Sequence, residues 1–274
     1  MTYKLFISFL FFSLASLICN KPKPILTELS ADLPRVDSIN NYQCVVRYKS
    51  SLYDNNLALT FNVRIIYFEE EVTEWLIYDS KEKDVEILNN LNTSFAKQGI
   101  SFVLKESNVD VNSASINEFL AHYSNYEQEG ALTIIVYSNS FGATYNGIAS
   151  GVPGLVLGIL DEKINTTTLP HEMGHLLGLA HIFEKDDTDG LNSSTGDKIC
   201  DTPEYNIMHN ITNECAYMGP GKYTEEELKT IIPNYLNYNA ENPYDCRDKF
   251  TPVQGLAMRW YVENFPSLYN ALLY

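Results

Sequence analysis

Eleven residues beyond the middle of the chain, His171-Glu172-Met173-Gly174-His175-Leu176-Leu177-Gly178-Leu179-Ala180-His181, place three imidazoles and one carboxylate in a single short run. Side chains four apart on a helix lie one turn above each other on the same face. A helix through this run therefore brings His171 and His175 to one metal ion. Glu172, one step round the helix, lies beside that ion and can take a proton from a water the ion activates, without being a ligand itself. His181 follows His175 by six residues and does not return to the same helical face. It becomes a third ligand only if the helix ends and the chain turns back. Gly178 allows that turn, because glycine reaches positive φ without a Cβ clash. Three protein ligands leave a fourth position open for water or substrate, as a catalytic rather than a structural zinc site requires.

Chance is a poor explanation of the pattern. A bare H-E-x-x-H arises at random in roughly a few per cent of chains this long, and requiring Gly178 and His181 lowers that to about one in ten thousand. Three of the five histidines fall in the run. The other two, His122 and His209, have no partner at ligand spacing and read as ordinary surface or hydrogen-bonded histidines.

The rest of the chain sets the context. Residues 1–19 carry one lysine, Lys4, and then a nearly unbroken apolar run from Leu5 to Ile18, which fits a secretory signal peptide and is too short for a spanning helix. Cys19 at its end raises a lipid anchor as an alternative, although Ser16-Leu17-Ile18 lack the small residue usual just ahead of a lipidated cysteine. No later segment is apolar enough to cross a membrane. The net charge of −16 argues against nucleic acid and anionic membrane surfaces as partners, since phosphate binding needs clustered Lys and Arg. A secreted or cell-surface monomer is expected. Four cysteines follow Cys19, namely Cys44, Cys200, Cys215 and Cys246. In an exported chain they imply two disulfides, with three pairings open. Three of the four follow the histidine run, which points to a loop-rich second half held by covalent ties.

Hydrophobic patterning outlines the elements. Residues 20–57, with Pro22, Pro24 and Pro34, read as a loosely ordered lead-in or short pro-segment. The domain proper is expected over 58–266, divided at 178 into an upper part (58–178) and a lower part (179–266), with 267–274 as a tail. Residues 57–68 read as a strand, 83–98 as an amphipathic helix stopped by Gly99, 100–104 as a strand, 116–126 as a helix and 132–137 as a buried strand. Strands alternating with helices indicate an α/β layer. The Gly-rich stretch 145–160 reads either as an edge strand bordering a cleft, where an extended peptide could add itself, or as a buried loop and strand. Residues 166–178 are the expected site helix, its metal ligands facing away from its apolar side.

With these residues assembled, the chain resembles the pappalysin family, in the metzincin clan of zinc peptidases. His181-Ile182-Phe183-Glu184 is similar to the stretch after the third ligand in that family. Gly196-Asp197 through Asp201-Thr202-Pro203 resembles its G-D-x-x-x-D-T-P segment, and Cys246-Arg247-Asp248-Lys249-Phe250-Thr251-Pro252-Val253-Gln254 its closing C-R-x-x-F-T-x-x-Q helix. Upstream, residues 88–102 are similar to its first helix and strand. The resemblance covers roughly residues 58–266. It implies an α/β (α+β) metzincin-type zincin, with an N-terminal mixed twisted sheet, an active-site helix, and a loop-rich, disulfide-tied C-terminal subdomain.

The resemblance also implies roles for individual residues. The family's turn beneath the zinc, N-x-M-x-Y, is matched by Asn234-Tyr235-Leu236-Asn237-Tyr238, with leucine at the methionine position. Leu for Met conserves volume, so the site should remain intact. Tyr238 matches the tyrosine that stabilises the tetrahedral intermediate, a task a phenol suits chemically. Asp197, Asp201 and Thr202 match a region that often holds calcium in the family, and otherwise read as turn caps. The family's closing cysteines suggest Cys215 with Cys246, leaving Cys44 with Cys200; a second reading of Cys44 is a pro-segment thiolate that occupies the zinc's open position until cleavage. The implied function is zinc-dependent endoproteolysis of protein or peptide substrates, with Glu172 as base. The alternative is a secreted binding protein or adhesin that keeps fold and metal without turnover, for which Leu236 is the only hint and intact Glu172 the counter-argument.

Overall fold

The computed structural model describes residues 24–29, 33, 47–68, 74–110, 122–138, 145–183, 197, 199–203, 211–212, 214–219, 223–238 and 246–273, without the side chains of 74–79. The signal-peptide and lipid-anchor readings at 1–19, Cys44, His209 and most of the helix expected at 116–126 lie outside these residues. So do Glu184 and Gly196.

Six strands form one mixed sheet. The long β2 (Leu57–Phe68) lies between β3 (Ile100–Asp110) and β4 (Leu132–Tyr137), both parallel to it. Next comes β6 (Val156–Leu160), parallel to β4, and then β5 (Gly147–Ala149), antiparallel to β6 at the sheet's edge. The short β1 (Thr27–Glu28) pairs antiparallel with the first two residues of β2. Strand alternation explains the layering. Leu59, Phe61, Val63, Ile65 and Tyr67 of β2 join a large core, while Ile66 and Phe68 join a second cluster. β4 divides the same way, with Ile134 and Val136 in the first and Ile135 and Tyr137 in the second. Buried on both faces, it reads in sequence as an unbroken apolar run.

The first core is closed by helices. Ile87, Leu91 and Phe95 of α2 (Glu74–Phe95) pack there, as do Leu169, Met173 and Leu176 of α3 (Thr168–Leu176). Each such fully buried side chain contributes about 1.5–3 kcal/mol. α2 begins nine residues before the expected helix start, and a 3-10 turn continues it to Gln98. Gly99, at φ +61, then turns the chain into β3. β3 runs six residues past its expected end at Leu104. Its second half is polar and lies on the sheet's outer edge, so no apolar pattern marked it. Val63 faces Leu104 while Arg64 faces Glu106, which makes Lys105 a bulge, and Arg64 and Glu106 then pair at 2.8 Å.

Beyond α3 the described chain holds few regular elements: α4 (Glu225–Ile231), α5 (Pro252–Asn264) and α6 (Pro266–Asn270). Thr251 and Gln254 form a capping box at the start of α5. The chain's end returns to the sheet, where Leu272 bridges to Phe61 and the Leu273 N–H donates to the Thr60 carbonyl at 2.7 Å. The described lead-in is ordered rather than loose. α1 (Ser51–Asp54) lies against α5, and Tyr48, Ser50 and Leu52 are buried.

Candidate metal centre

The Nε2 atoms of His171, His175 and His181 form a near-equilateral triangle, with separations of 3.1, 3.1 and 3.2 Å. Their opposite ring nitrogens explain why. His171 Nδ1 lies 2.6 Å from the Tyr235 carbonyl and His175 Nδ1 lies 2.7 Å from the Leu179 carbonyl. A carbonyl accepts, so each Nδ1 carries the proton and each Nε2 presents a lone pair. Converging lone pairs at this spacing repel unless a cation lies among them. A tetrahedral zinc with Zn–N bonds of ~2.0–2.1 Å spaces its ligands about 3.3–3.4 Å apart, close to what is observed. The residues present therefore fit zinc. Burial, together with His175, His181 and Arg247, holds His171 well below the usual histidine range and so keeps it neutral.

The third histidine joins the other two through a turn at the helix end. α3 ends at Leu176, and Gly178, at φ +94, reverses the chain. The Leu179 N–H then donates to the Gly174 carbonyl, and the Ile182 N–H to the Leu236 carbonyl at 3.2 Å. The His181 ring stacks on Phe183 with centroids 4.7 Å apart. Residues 166–167 and 177–178, expected within the helix, are turns at its two ends.

The segment 234–238 lies beneath the ligands. Tyr235 supplies the carbonyl that orients His171, and the fully buried Leu236 packs beside Gly174 of α3. The turn is locked from α5. Asn234 Nδ2 donates to Gln254 Oε1 at 3.0 Å and Gln254 Nε2 donates back to Asn234 Oδ1 at 3.2 Å, while the Leu236 N–H donates to Asn234 Oδ1. Tyr238 stands against the ligand rings, 5.4 Å from His171 and 4.6 Å from His181 between centroids.

Glu172 is buried, accepts the Ala149 N–H of β5, and is pushed up to about 8 by that burial, against the pull of Arg247 and of this N–H. A Cβ on Gly147 would lie 2.8 Å from Glu172 Cγ, so the edge strand can lie over the carboxylate only where a side chain is missing. Arg247 Nη1 lies 3.2 Å from His171 Nδ1 and donates to the Asn237 carbonyl at 3.3 Å. Because His171 Nδ1 already donates to Tyr235, Arg247 acts there as a charge rather than as a donor. Sequence reading missed both Gly147 and Arg247, although each lay in a quoted segment.

In the D-T-P region the hydrogen bonds follow the turn-cap reading of these residues. Asp201 accepts from Thr251 Oγ1 at 2.6 Å and from the Val253 N–H at 2.8 Å, which caps α5. Asp197 Oδ1 accepts from the Ile199 N–H, and Thr202 Oγ1 lies 2.6 Å from it. Among the described residues, the histidines are the only grouping of three or more metal-ligating side chains. The calcium expectation at Asp197, Asp201 and Thr202 thus finds no support. Cys215 and Cys246 are bonded as the resemblance implied. Cys200 is disulfide-bonded to a partner outside the described residues. His122 is exposed and distant in role from the cluster.

Comparison with known proteins agrees with this geometry. Residues 151–263, which include the three histidines, Glu172 and the turn at 234–238, match the peptidase family M43 described as pregnancy-associated plasma protein-A. Pappalysin-1 of Mus musculus is 30% identical over 169 residues, which are 55% of this chain and 9% of that protein. An extracellular metalloprotease of Pyricularia oryzae is 24% identical over 199 residues, 62% of this chain and 63% of the relative. The chain thus spans about a tenth of pappalysin-1 and under two thirds of the fungal protein. In fold it is similar to a solved structure of mirolysin in complex with compound 9, with a TM-score of 0.53, 17% identity, and coverage of 77% of this chain and 94% of that one. The three-histidine centre, the turn beneath it and the matched segment together support a likeness to the pappalysin family of metzincin zinc peptidases.

Proposed function

We propose that the protein is a secreted, monomeric zinc endopeptidase whose catalytic domain spans 58–266, with subdomains meeting at 178. The observation that carries this reading is the convergence of three imidazole Nε2 atoms beside the buried carboxylate of Glu172. His171, His175 and His181 would hold the ion. Bound zinc would polarise the scissile carbonyl and ease the deprotonation of water. Glu172 accepts the proton of the attacking water and passes it to the leaving amine. Tyr238, packed against two ligands, offers a phenol to the oxyanion. β5, an edge strand over Glu172 that pairs only with β6 among the described residues, offers its outer side to an extended peptide.

Secretion is supported by the disulfides, which suit an oxidising compartment, and by relatives named as extracellular metalloproteases. No helix of the described residues is long and apolar enough to cross a membrane. The test is Glu172→Ala against a denatured protein substrate. The variant should bind zinc as the wild type does, while cleavage falls by about 10²–10⁴-fold. Wild-type cleavage in that variant would remove Glu172 from the mechanism. Chelation should abolish wild-type activity, and added zinc should restore it.

A further inference from the structure

We propose that residues 47–57 are a permanent brace of the metal loop, retained in the active enzyme, and that Tyr261 is the positioning residue through which the brace acts. The proposal rests on the zinc-peptidase reading above. Its starting point is Gly178, the pivot between the second and third ligands. A Cβ at Gly178 would overlap the Tyr261 ring, so that ring lies directly against the glycine backbone. The φ of +94 leaves the pivot without a side chain of its own to hold it in place. Backbone bonds from the Gly178 N–H to the His175 carbonyl and from the Leu179 N–H to the Gly174 carbonyl fix its turn, and packing from outside fixes where that turn sits.

Tyr261 is itself held from the lead-in. Its ring sits 5.1 Å from Trp260 and 6.5 Å from Tyr48, and the buried Tyr48 meets Trp260 edge-on at 6.0 Å. The segment carrying Tyr48 is fixed to α5 at two further points. The Ser51 N–H donates to Glu263 Oε2 at 3.0 Å, and the Ser51 hydroxyl donates to Oε1. Arg259, fully buried, donates through Nη1 to the Leu52 and Leu57 carbonyls at 3.3 and 2.6 Å. Through Nη2 it donates to the Gln98 and Gly99 carbonyls at 2.7 and 3.2 Å. Removing 47–57 would strip half of these acceptors from a buried cation, which is strongly unfavourable. It would also uncover the outer face of Tyr261. The path from lead-in to metal is therefore continuous: Tyr48, Tyr261, Gly178, then His175 and His181. A maturation cut that leaves an active enzyme must fall before residue 47.

Two measurements test this. The first is the intact mass of the purified active protein, which should include residue 47; an active form beginning after residue 47 would overturn the brace. The second is the zinc dissociation constant, by chelator competition, for full-length wild type, Tyr261→Phe, Tyr261→Leu and Tyr48→Ala. Loss of a group that orients ligands from outside weakens metal affinity by about 10–100-fold, so Tyr261→Leu should fall in that range, Tyr48→Ala about 3–10-fold, and Tyr261→Phe should match wild type. If Tyr261→Leu does not fold, Tyr48→Ala decides. Wild-type affinity in the folded variants would overturn the brace and leave the peptidase reading standing. A wild-type protein that binds no zinc would overturn both.

Discussion

The two sides of the metal centre are built by different physics. On the sheet side, α3 lies against β5 and β6 and is buried mainly through apolar side chains, among them Ile134, Leu157, Leu169 and Met173. On the loop side, the turn at 234–238 is held by named polar bonds: Asn234 to Gln254, Asp201 to the start of α5, and Tyr235 to His171. Apolar packing is strong and non-directional, so it sets how stable the helix is. Hydrogen bonds are weaker in net terms but fix direction, so they set where each imidazole points. The comparison teaches that stability and ligand geometry are separable here. Substitutions on one side should mainly move melting, and on the other mainly metal affinity.

The largest expected effect attacks the sheet side. Ile134→Ala, on a strand buried on both faces, should cost about 2–5 kcal/mol in denaturant unfolding, with the zinc affinity of the folded fraction unchanged. A matching loss of zinc affinity would erase the distinction between the two sides. Next comes Asn234→Ala, which removes the reciprocal bonds with the buried Gln254 amide and the acceptor of the Leu236 N–H, and should cost about 1–3 kcal/mol. Unlike Ile134→Ala, it should also weaken chelator-competed zinc binding, because the Tyr235 carbonyl loses its anchor.

A smaller effect concerns pH on the loop side. Burial pushes the Asp197 carboxyl up to about 7, well above an unfolded value near ~3.9. The folded state therefore favours the protonated form. Its contribution is fully present below about pH 4 and is lost as pH rises through 7. The melting temperature of Asp197→Asn should fall less across that window than wild type does, and parallel curves would count against the assignment. Smallest of all is Leu236→Met, a volume-conserving change in a fully buried site, expected to cost under about 1.5 kcal/mol and to leave cleavage within a few-fold of wild type.

The same division governs what could be read from sequence. Local rules reached the sheet side well. Apolar runs marked β2 and β4 to the residue, and i, i+4 spacing marked the two helical ligands. They failed at 105–110, where β3 continues with polar residues at an edge, and at 74–82, where α2 begins early. On the loop side, neither Asn234 with Gln254 nor Arg247 beside His171 has any periodic signature, since the partners lie 20 and 76 residues apart. The turn and the Cys215–Cys246 bond came from family resemblance instead, while the capping by Asp201 was only the alternative to the calcium that resemblance implied. Arg259 illustrates the deepest limit: nothing in a string of letters separates an arginine buried among carbonyls from one in water.

The helix bearing the chemistry is nine residues long and includes Pro170 and Gly174. Pro170 is tolerated because it falls in the first turn, where its missing N–H has no helical partner to lose. Gly174 costs about 1 kcal/mol relative to alanine, and helices shorter than ~12–15 residues are marginal in water even with ideal composition. Left to itself this stretch would not be helical. The motif is consequently not portable. A peptide copied from 171–181 would chelate zinc as a flexible strand of histidines, with no fixed place for Glu172 and no protected open position. To transplant the chemistry one would have to carry along the strands beneath it, the turn under it and the aromatic ring pressed against its glycine.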